Sequence, residues 1–359
     1  MKFLCAGFVL PSSDIIQMIP HSSPATTMRA TTCFLVLCSF VALYGAATAA
    51  PVVCRCNSAG TCAPAQLVLV ESPGQACPLP VDGVLNASVV TNSSTDALKI
   101  NLTGVTRILG YLSVVDAPRI TTVLAPDLLT VGAVKVRSNP ELVSLNFPTL
   151  THFEGETEAA MMYQIDVRTN AKLNSAGFPS VKTAKGITCE DVNLTNPCDL
   201  TSLISVDGDY HMKGGNHGSL HNVSGHLSVS GVDILDLPAL TVVGKDLRVT
   251  FGTTFERINV PALAEIGGAF VGTTVTPFTN SLCTKVSFPK LASVGADFTL
   301  EGLNAMTNFS ANALVNATGK VKLHGEKLKH VYLEKLEKIK AIDIQAGSEH
   351  LAKANVLQT

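Results

Sequence analysis

The chain has no tryptophan, its aromatic residues make up 5% of the total and its charged residues 15%. So few aromatic rings argue against the sugar-stacking cleft of a polysaccharide-degrading enzyme. A formal net charge of −2 offers nothing to grip a phosphate backbone, so no nucleic-acid partner is expected. Nor does it give an electrostatic reason for docking on a membrane surface. Catalytic signatures are missing too. There is no Gly-x-Ser-x-Gly elbow, no His-Glu-x-x-His and no Walker loop, so no catalytic residue, cofactor or resident metal is assigned. What is abundant is apolar: 46% of the residues are hydrophobic, enough for a large core and too many for a disordered chain.

The N-terminus reads as a targeting segment spanning residues 1–49. Met28-Arg29 opens a short positive region, Cys33 to Tyr44 is an apolar run, and Ala47-Thr48-Ala49 is a small-x-small cleavage signal. The run is too short to span a bilayer, so no transmembrane segment is expected in the mature chain. An ordinary signal would start at Met28, which makes Met28 a candidate true start.

Two further features fit secretion. Asn-x-Ser/Thr sequons occur at Asn86, Asn92, Asn101, Asn193, Asn222, Asn308 and Asn316, candidates for N-glycosylation. Beyond the leader, Cys54, Cys56, Cys62 and Cys77 cluster as C-x-C-x5-C-x14-C. In a secreted chain this reads as a disulfide-stapled N-terminal cap over residues 50–97. Zinc is the rival reading, but the spacing lacks a paired C-x2-C. Cys189 and Cys198 are close enough to pair. Cys283 is left over, either as a buried thiol or as an intermolecular link.

The feature that organises the rest is a recurring phrase, Pro-x-Leu-x-x-Val-Gly. Its clearest copies start at Pro126, Pro238, Pro261 and Pro289. Degenerate copies bring the anchors to eleven: Thr103, Pro126, Pro148, Pro179, Thr201, Gly218, Pro238, Pro261, Pro289, Asn312 and Glu334. The residue two after each anchor is aliphatic (Val105, Leu128, Leu150 onward), and the residue five after it is apolar. A Gly usually follows within two residues, suiting a sharp corner. Next comes a short run alternating with period two, such as Leu112/Val114, Val134/Val136, Leu247/Val249 and Phe298/Leu300. Alternate residues of such a strand point inward.

A fixed period in this range means stacked units, each too small to bury its own core. The expected fold is therefore all-β: a right-handed parallel β-solenoid of about eleven turns over residues 98–345. Strands of successive turns would stack about 4.8 Å apart. Two L-domain-like halves would meet near residue 215, and residues 346–359 would form a tail or capping helix. Longer steps after Pro148 and Pro261 place insertions near 154–163 and 272–284. Solenoid insertions loop out, often on a binding face.

The stretch VTRILGYLSV (residues 105–114), followed by the spaced proline phrases, resembles the receptor L domain of insulin and EGF receptor ectodomains. It also resembles fungal GPI-anchored cell-wall glycoproteins of the extracellular-mutant and sporulation-specific type. The resemblance implies a right-handed solenoid with leucine-rich-repeat-like turns and a surface or wall glycoprotein, and it carries over no catalytic residue. The chain departs from those families in showing no furin-like region, no kinase and no hydrophobic GPI tail after AKANVLQT. That leaves free secretion or truncation open.

Three clusters invite chemistry. His211, His217, His221 and His226 fall close together, but their spacing fits no ordinary metal motif. Asp209, His226 and Asp246 lie eight residues after their anchors, as does Asp297; an acid–His–acid ladder could move protons, or simply face water. Lys320, Lys322, Lys327, Lys329, Lys335, Lys338 and Lys340 make the last turns basic. They could meet an anionic glycan or lipid surface, or guard an exposed strand edge. The expected function is non-catalytic: a secreted or cell-surface glycoprotein that binds an extracellular protein or polysaccharide, or organises wall or matrix, through its repeat surface. The alternatives are a β-helix polysaccharide-active enzyme and a structural adhesin that self-associates.

Overall fold

A computed structural model describes residues 83–85, 88–91, 98–154, 162–190, 198–213, 218–274 and 282–346, with the backbone of strands Gln66–Leu67 and Lys353–Val356. The leader, Cys54, Cys56, Cys62, Cys77, Asn86, Asn92, Asn193, His217 and the centres of both expected insertions lie outside the described residues. The described part is all-β, with no helix among these residues, and forms a parallel β-solenoid.

Each turn contributes up to three strands. The longest belongs to a continuous ladder that, among the described residues, starts at Gln66–Leu67 and runs through Ser88–Val90, Leu112–Val115, Val134–Arg137, Ile165–Arg168, Ile187–Glu190 and Tyr210–Lys213. It continues through Leu227–Val232, Leu247–Phe251, Phe270–Thr274 and Phe298–Leu300 to Asn316–Gly325 and Lys338–Ala346. All its pairings are parallel and almost all are in register, Leu112 facing Val134, Val134 facing Ile165, and Ile165 facing Ile187. From Ser88–Val90 to Phe298–Leu300 a two-residue strand precedes each of these and makes a second face, as in Arg107–Ile108 and Thr130–Val131; in Asn316–Gly325 and Lys338–Ala346 that segment is fused to the ladder strand. A third face carries strands such as Lys99–Asn101, Thr122–Leu124 and Ser144–Asn146. Lys353–Val356, where a capping helix was one expectation, is a strand on this third face, paired in parallel with His330–Leu333.

The proline phrase is a β-turn. The carbonyl of the residue before the anchor accepts the N–H of the residue two after it: Leu240 N to Leu237 O at 3.2 Å, Leu263 N to Val260 O at 3.2 Å, Leu314 N to Ala311 O at 3.0 Å. Proline suits the second position of such a turn because its φ is preset and its missing N–H is not required there. The residue before the anchor is a third core column that the phrase itself does not advertise. Leu102, Ala125, Phe147, Phe178, Leu200, Leu237, Val260, Phe288, Ala311 and Leu333 are all buried. A second β-turn closes the other end of the ladder strand in the same way, as in Leu142 N to Asn139 O and Met306 N to Leu303 O.

The core is one continuous apolar column down the coil. Its aromatic content is concentrated late, where Phe298 stacks on Phe270 at 4.5 Å and meets Phe288 and Phe309 edge-on, each at 5.5 Å. Cys189 and Cys198 are disulfide-bonded across 6.3 Å between their Cα atoms. Cys283 forms no disulfide among the described residues, is fully buried and donates its Sγ–H to Lys285 O at 3.4 Å. Burial pushes its thiol up to about 11, so at neutral pH it is an un-ionised thiol and a poor nucleophile.

Candidate functional site: the outward face of the ladder

Because side chains alternate along each ladder strand, every rung sends two outward, and parallel registry lines them into two rows. One row reads Ser113, Lys135, Asp166, Thr188, His211, Ser228, Arg248, Val271, Thr299, Lys322 and Asp343. The other includes Val115, Arg137, Arg168 and Glu190, then Ser230, Thr250 and Thr273, then His324 and Gln345. The face thus has three zones: a charged outcrop on the rungs of 134–213, a middle stretch of mostly small hydroxyl residues interrupted by Arg248 and Val271, and a second charged cluster at the far end.

The outcrop centres on Asp166, which is 4% exposed. Arg168 reaches it with Nε on Oδ1 at 2.8 Å and Nη2 on Oδ2 at 3.3 Å, and Arg137 from the preceding rung donates Nη2 to the same Oδ2. Both guanidiniums are about one-third exposed. The Arg168 guanidinium lies 5.9 Å over the ring of Tyr163, which in turn meets His211 edge-on at 5.8 Å. Burial and the charge of Arg168 hold Arg137 below the usual arginine value. Burial, together with the negative charges of Asp209 and Glu190, raises the Tyr163 phenol, which therefore stays a neutral hydroxyl at ordinary pH. Sequence reasoning did not single out this cluster. Its signal was a repeated V-x-V-R/D-V-R phrase, Val134–Arg137 and Asp166–Arg168, followed each time by an Asn two residues on.

At the far end, Lys322 pairs with Glu301, and His324 stands between Glu301 (3.6 Å) and Asp343 (3.3 Å). Lys338 and Lys340 lie on the last strand, Lys338 on its short-strand segment opposite Asn316, and both are exposed.

The acid–histidine ladder exists, and its geometry gives it a structural task. Asp209 Oδ1 accepts the backbone N–H of His226 at 2.8 Å, Asp246 Oδ1 accepts that of Ala269 at 2.9 Å, and Asp297 Oδ1 accepts that of Lys320 at 2.7 Å. Each aspartate therefore ties its own turn to the same position of the next. His226 Nδ1 sits 3.5 Å from Asp246 Oδ2, where Arg248 also binds at 2.8 Å. The Ala269 N–H and then Arg248 hold the Asp246 carboxyl below its usual value. Asp297 is exposed, as expected of a position that faces water, whereas Asp246 is only 18% exposed at its side chain and its oxygens are committed to the backbone and to Arg248.

The described histidines do not converge. His211 stands on the ladder, His226 at the corner before it, and His221 bonds Ser219 O on a neighbouring corner. No group of three or more His, Cys, Asp or Glu residues placed to hold a metal ion occurs among the described residues. The described sequons all lie off the ladder face. Asn101 and Asn308 begin or end strands of the third face, and Asn222 and Asn316 are on the short-strand face. Asn101 and Asn222 are exposed; Asn308 and Asn316 are half-buried.

Comparison with known proteins gives one distant relative. The chain is 25% identical over 228 residues to Protein ecm33 of Aspergillus fumigatus, a match covering 62% of this chain and 52% of that protein. The chain thus spans about half the length of the curated relative it matches. No family model matches the chain, and no solved structure matches it.

Proposed function

We propose that this chain is a non-catalytic extracellular glycoprotein of a cell surface or cell wall, and that it binds wall or matrix material through the outward face of its ladder. The observation that carries the reading is the face itself: two rows of side chains held in register over the whole coil, with every described sequon on another side. A glycan is bulky and solubilising, so a face clear of attachment points is the one left open to a partner. The fungal cell-wall glycoproteins that the repeat phrase resembles, and the 25% identity with the protein named ecm33, point the same way. Delivery through a leader ending at Ala49 and glycosylation at the sequons belong to this proposal. The task of Asp209, Asp246 and Asp297 in tying turns together supports binding over catalysis, because it takes up the acids that proton chemistry would use.

Retention on isolated wall or matrix material tests it. Thr250→Arg with Thr273→Arg raises two long side chains from the middle stretch of the face without touching the core. The double variant should lose most retention while its melting temperature stays within a few degrees. Full retention by a folded double variant would sink the proposal.

A further inference from the structure

Asp166 does not engage every donor of the two arginines around it. Asp166 accepts from Nη2 of Arg137 and from Nε and Nη2 of Arg168. The Nη1 group of each guanidinium has no partner among the described residues, and the two side chains are a third exposed. A nearly buried carboxylate thus fixes two cationic forks side by side on adjacent rungs, about 4.8 Å apart. Two like charges held so close would be relieved by an incoming anion, and two planar forks suit an oxyanion better than point charges do. Glu190, opposite Arg168 on the next rung, makes no ion pair with it.

Beside the pair stands the half-buried Tyr163, with carboxylates near it. Tyr163 carries Arg168 over its ring and His211 at its edge, and Asp209 and Glu190 lie near enough to raise its phenol. A free anion such as phosphate would use the forks alone. A sugar unit bearing an acid group would use all three elements: forks for the acid, ring for the sugar face, carboxylates for its hydroxyls. We propose that Arg137, Arg168 and Tyr163 form a subsite for an acidic sugar residue of an extracellular polysaccharide, at the N-terminal end of the ladder face. This rests on the ladder face being the binding surface and names one chemical class of ligand for it.

Titration calorimetry at low ionic strength tests the subsite on the full secreted chain. The probes are an oligogalacturonate, its methyl ester, a sulfated dextran oligomer and poly-glutamate. The oligogalacturonate should bind, with affinity falling as salt is raised because exposed charge is screened, and the neutral ester should bind at least about tenfold more weakly, the scale of one lost charge-assisted contact. The sulfated oligomer separates sulfate from carboxylate as the acid group: its binding in place of the uronate keeps the subsite and changes the acid. Arg168→Gln and Arg137→Gln should each weaken binding by about tenfold, and Tyr163→Ala by several-fold. Hydrogen exchange over residues 134–168 shows whether each variant keeps its ladder. Equal binding of the ester, preference for poly-glutamate, no binding by either acidic sugar, or folded arginine variants that bind as the parent does would each overturn the proposal. If that happens while the Thr250/Thr273 double variant still abolishes retention on wall material, the ladder-face reading survives and only the acidic-sugar assignment fails. If the double variant also retains normally, both fail.

Discussion

The early turns and the late turns build the same coil by different chemistry. After the ladder strand the early turns bend through Asp116, Ser138 and Thr169, non-glycine residues with φ of 51°, 56° and 59°. Each is followed by a buried small or amide residue: Ala117, Asn139, Asn170. The amides stack. Asn139 donates Nδ2 to Val114 O at 2.9 Å and to Asn170 Oδ1 at 3.0 Å, while its own Oδ1 accepts the Ala117 N–H at 3.0 Å. Asn170 passes the pattern on by donating to Val136 O at 3.1 Å. The late turns use glycine at φ 63° and 80°, Gly231 and Gly302, and fill the interior with the phenylalanine cluster. There, Gly244, Gly267 and Gly295 lie so tightly that a Cβ on any one would fall on the backbone carbonyl of the turn before. One region satisfies backbone groups with amide side chains; the other packs rings and lets backbones touch. The lesson is that the repeat constrains shape and burial and leaves the means of satisfying them open.

The comparison breaks most visibly under truncation of a core residue from each half. Phe298→Ala should cost about 3–5 kcal/mol, the range for losing a buried ring, and Phe298→Leu should recover much of it. Asn139→Ala should cost about 2–4 kcal/mol by stranding Val114 O and the Ala117 N–H, since each orphaned buried group costs about 1–3 kcal/mol. Here Asn139→Leu should rescue nothing, because volume is not what the site lacks. Turns of a solenoid contact only their neighbours, so hydrogen exchange should rise locally, over 270–310 in one case and 112–173 in the other. A leucine that restores Asn139 as well as it restores Phe298 would collapse the distinction.

A smaller effect separates the acids that tie late turns from the neutral amides of the early ones. The Asp246 carboxyl is held low in the folded chain by the Ala269 N–H and by Arg248. A depressed folded value contributes stability that is present above the unfolded value, near 4, and is lost as pH falls through the folded value. Denaturant unfolding from pH 7 to pH 3 should show Asp246→Asn weaker than the parent by about 1 kcal/mol at pH 7, with the gap closing at the acid end. An equal change at the Asn139 variant across that range would show that the pH dependence is not local to the carboxylate.

How far this was legible follows from what each device looks like as a string. The columns two and five after the anchor, and the alternation Leu112/Val114 or Phe298/Leu300, are periodic apolar residues, and periodicity survives in sequence. The column before the anchor is as apolar as the others, yet it runs from Ala125 to Phe288 in size and hides beside a conspicuous proline. Asp209, Asp246 and Asp297 were visible as a register but not as a function, because the backbone N–H each one binds belongs to the next turn and has no letter of its own. The amide stack left only Ser138-Asn139 and Thr169-Asn170, two dipeptides that read as ordinary turns until the coil places them one above the other. The Arg137–Asp166–Arg168 cluster joins residues on either side of the longest repeat step, so no fixed spacing reveals it.

The finest test exchanges the two kinds of corner. Left-handed backbone costs a non-glycine residue about 1–2 kcal/mol, and a β-branched one such as Thr169 is the least suited to it. Thr169→Gly removes that strain but adds freedom to the unfolded chain, an opposing effect of about 0.5–1 kcal/mol. The net should be a gain below about 1 kcal/mol. The reverse exchange is not symmetrical. Gly302→Ala keeps φ at 80° and also drives a Cβ onto the Thr274 hydroxyl, so it should destabilise by about 1–3 kcal/mol. The asymmetry arises because the early corner is backed by the Asn170 side chain, whatever residue stands at 169, whereas the late corner rests on its own backbone turn, Asn304 N to Gly302 O and Met306 N to Leu303 O, and on the close approach of Gly302 to Thr274. Paired melting curves for the two variants, shifting in opposite directions, would establish it. A Thr169→Gly variant that melts well below the parent would show instead that the threonine side chain, and not the amide behind it, sets the early bend.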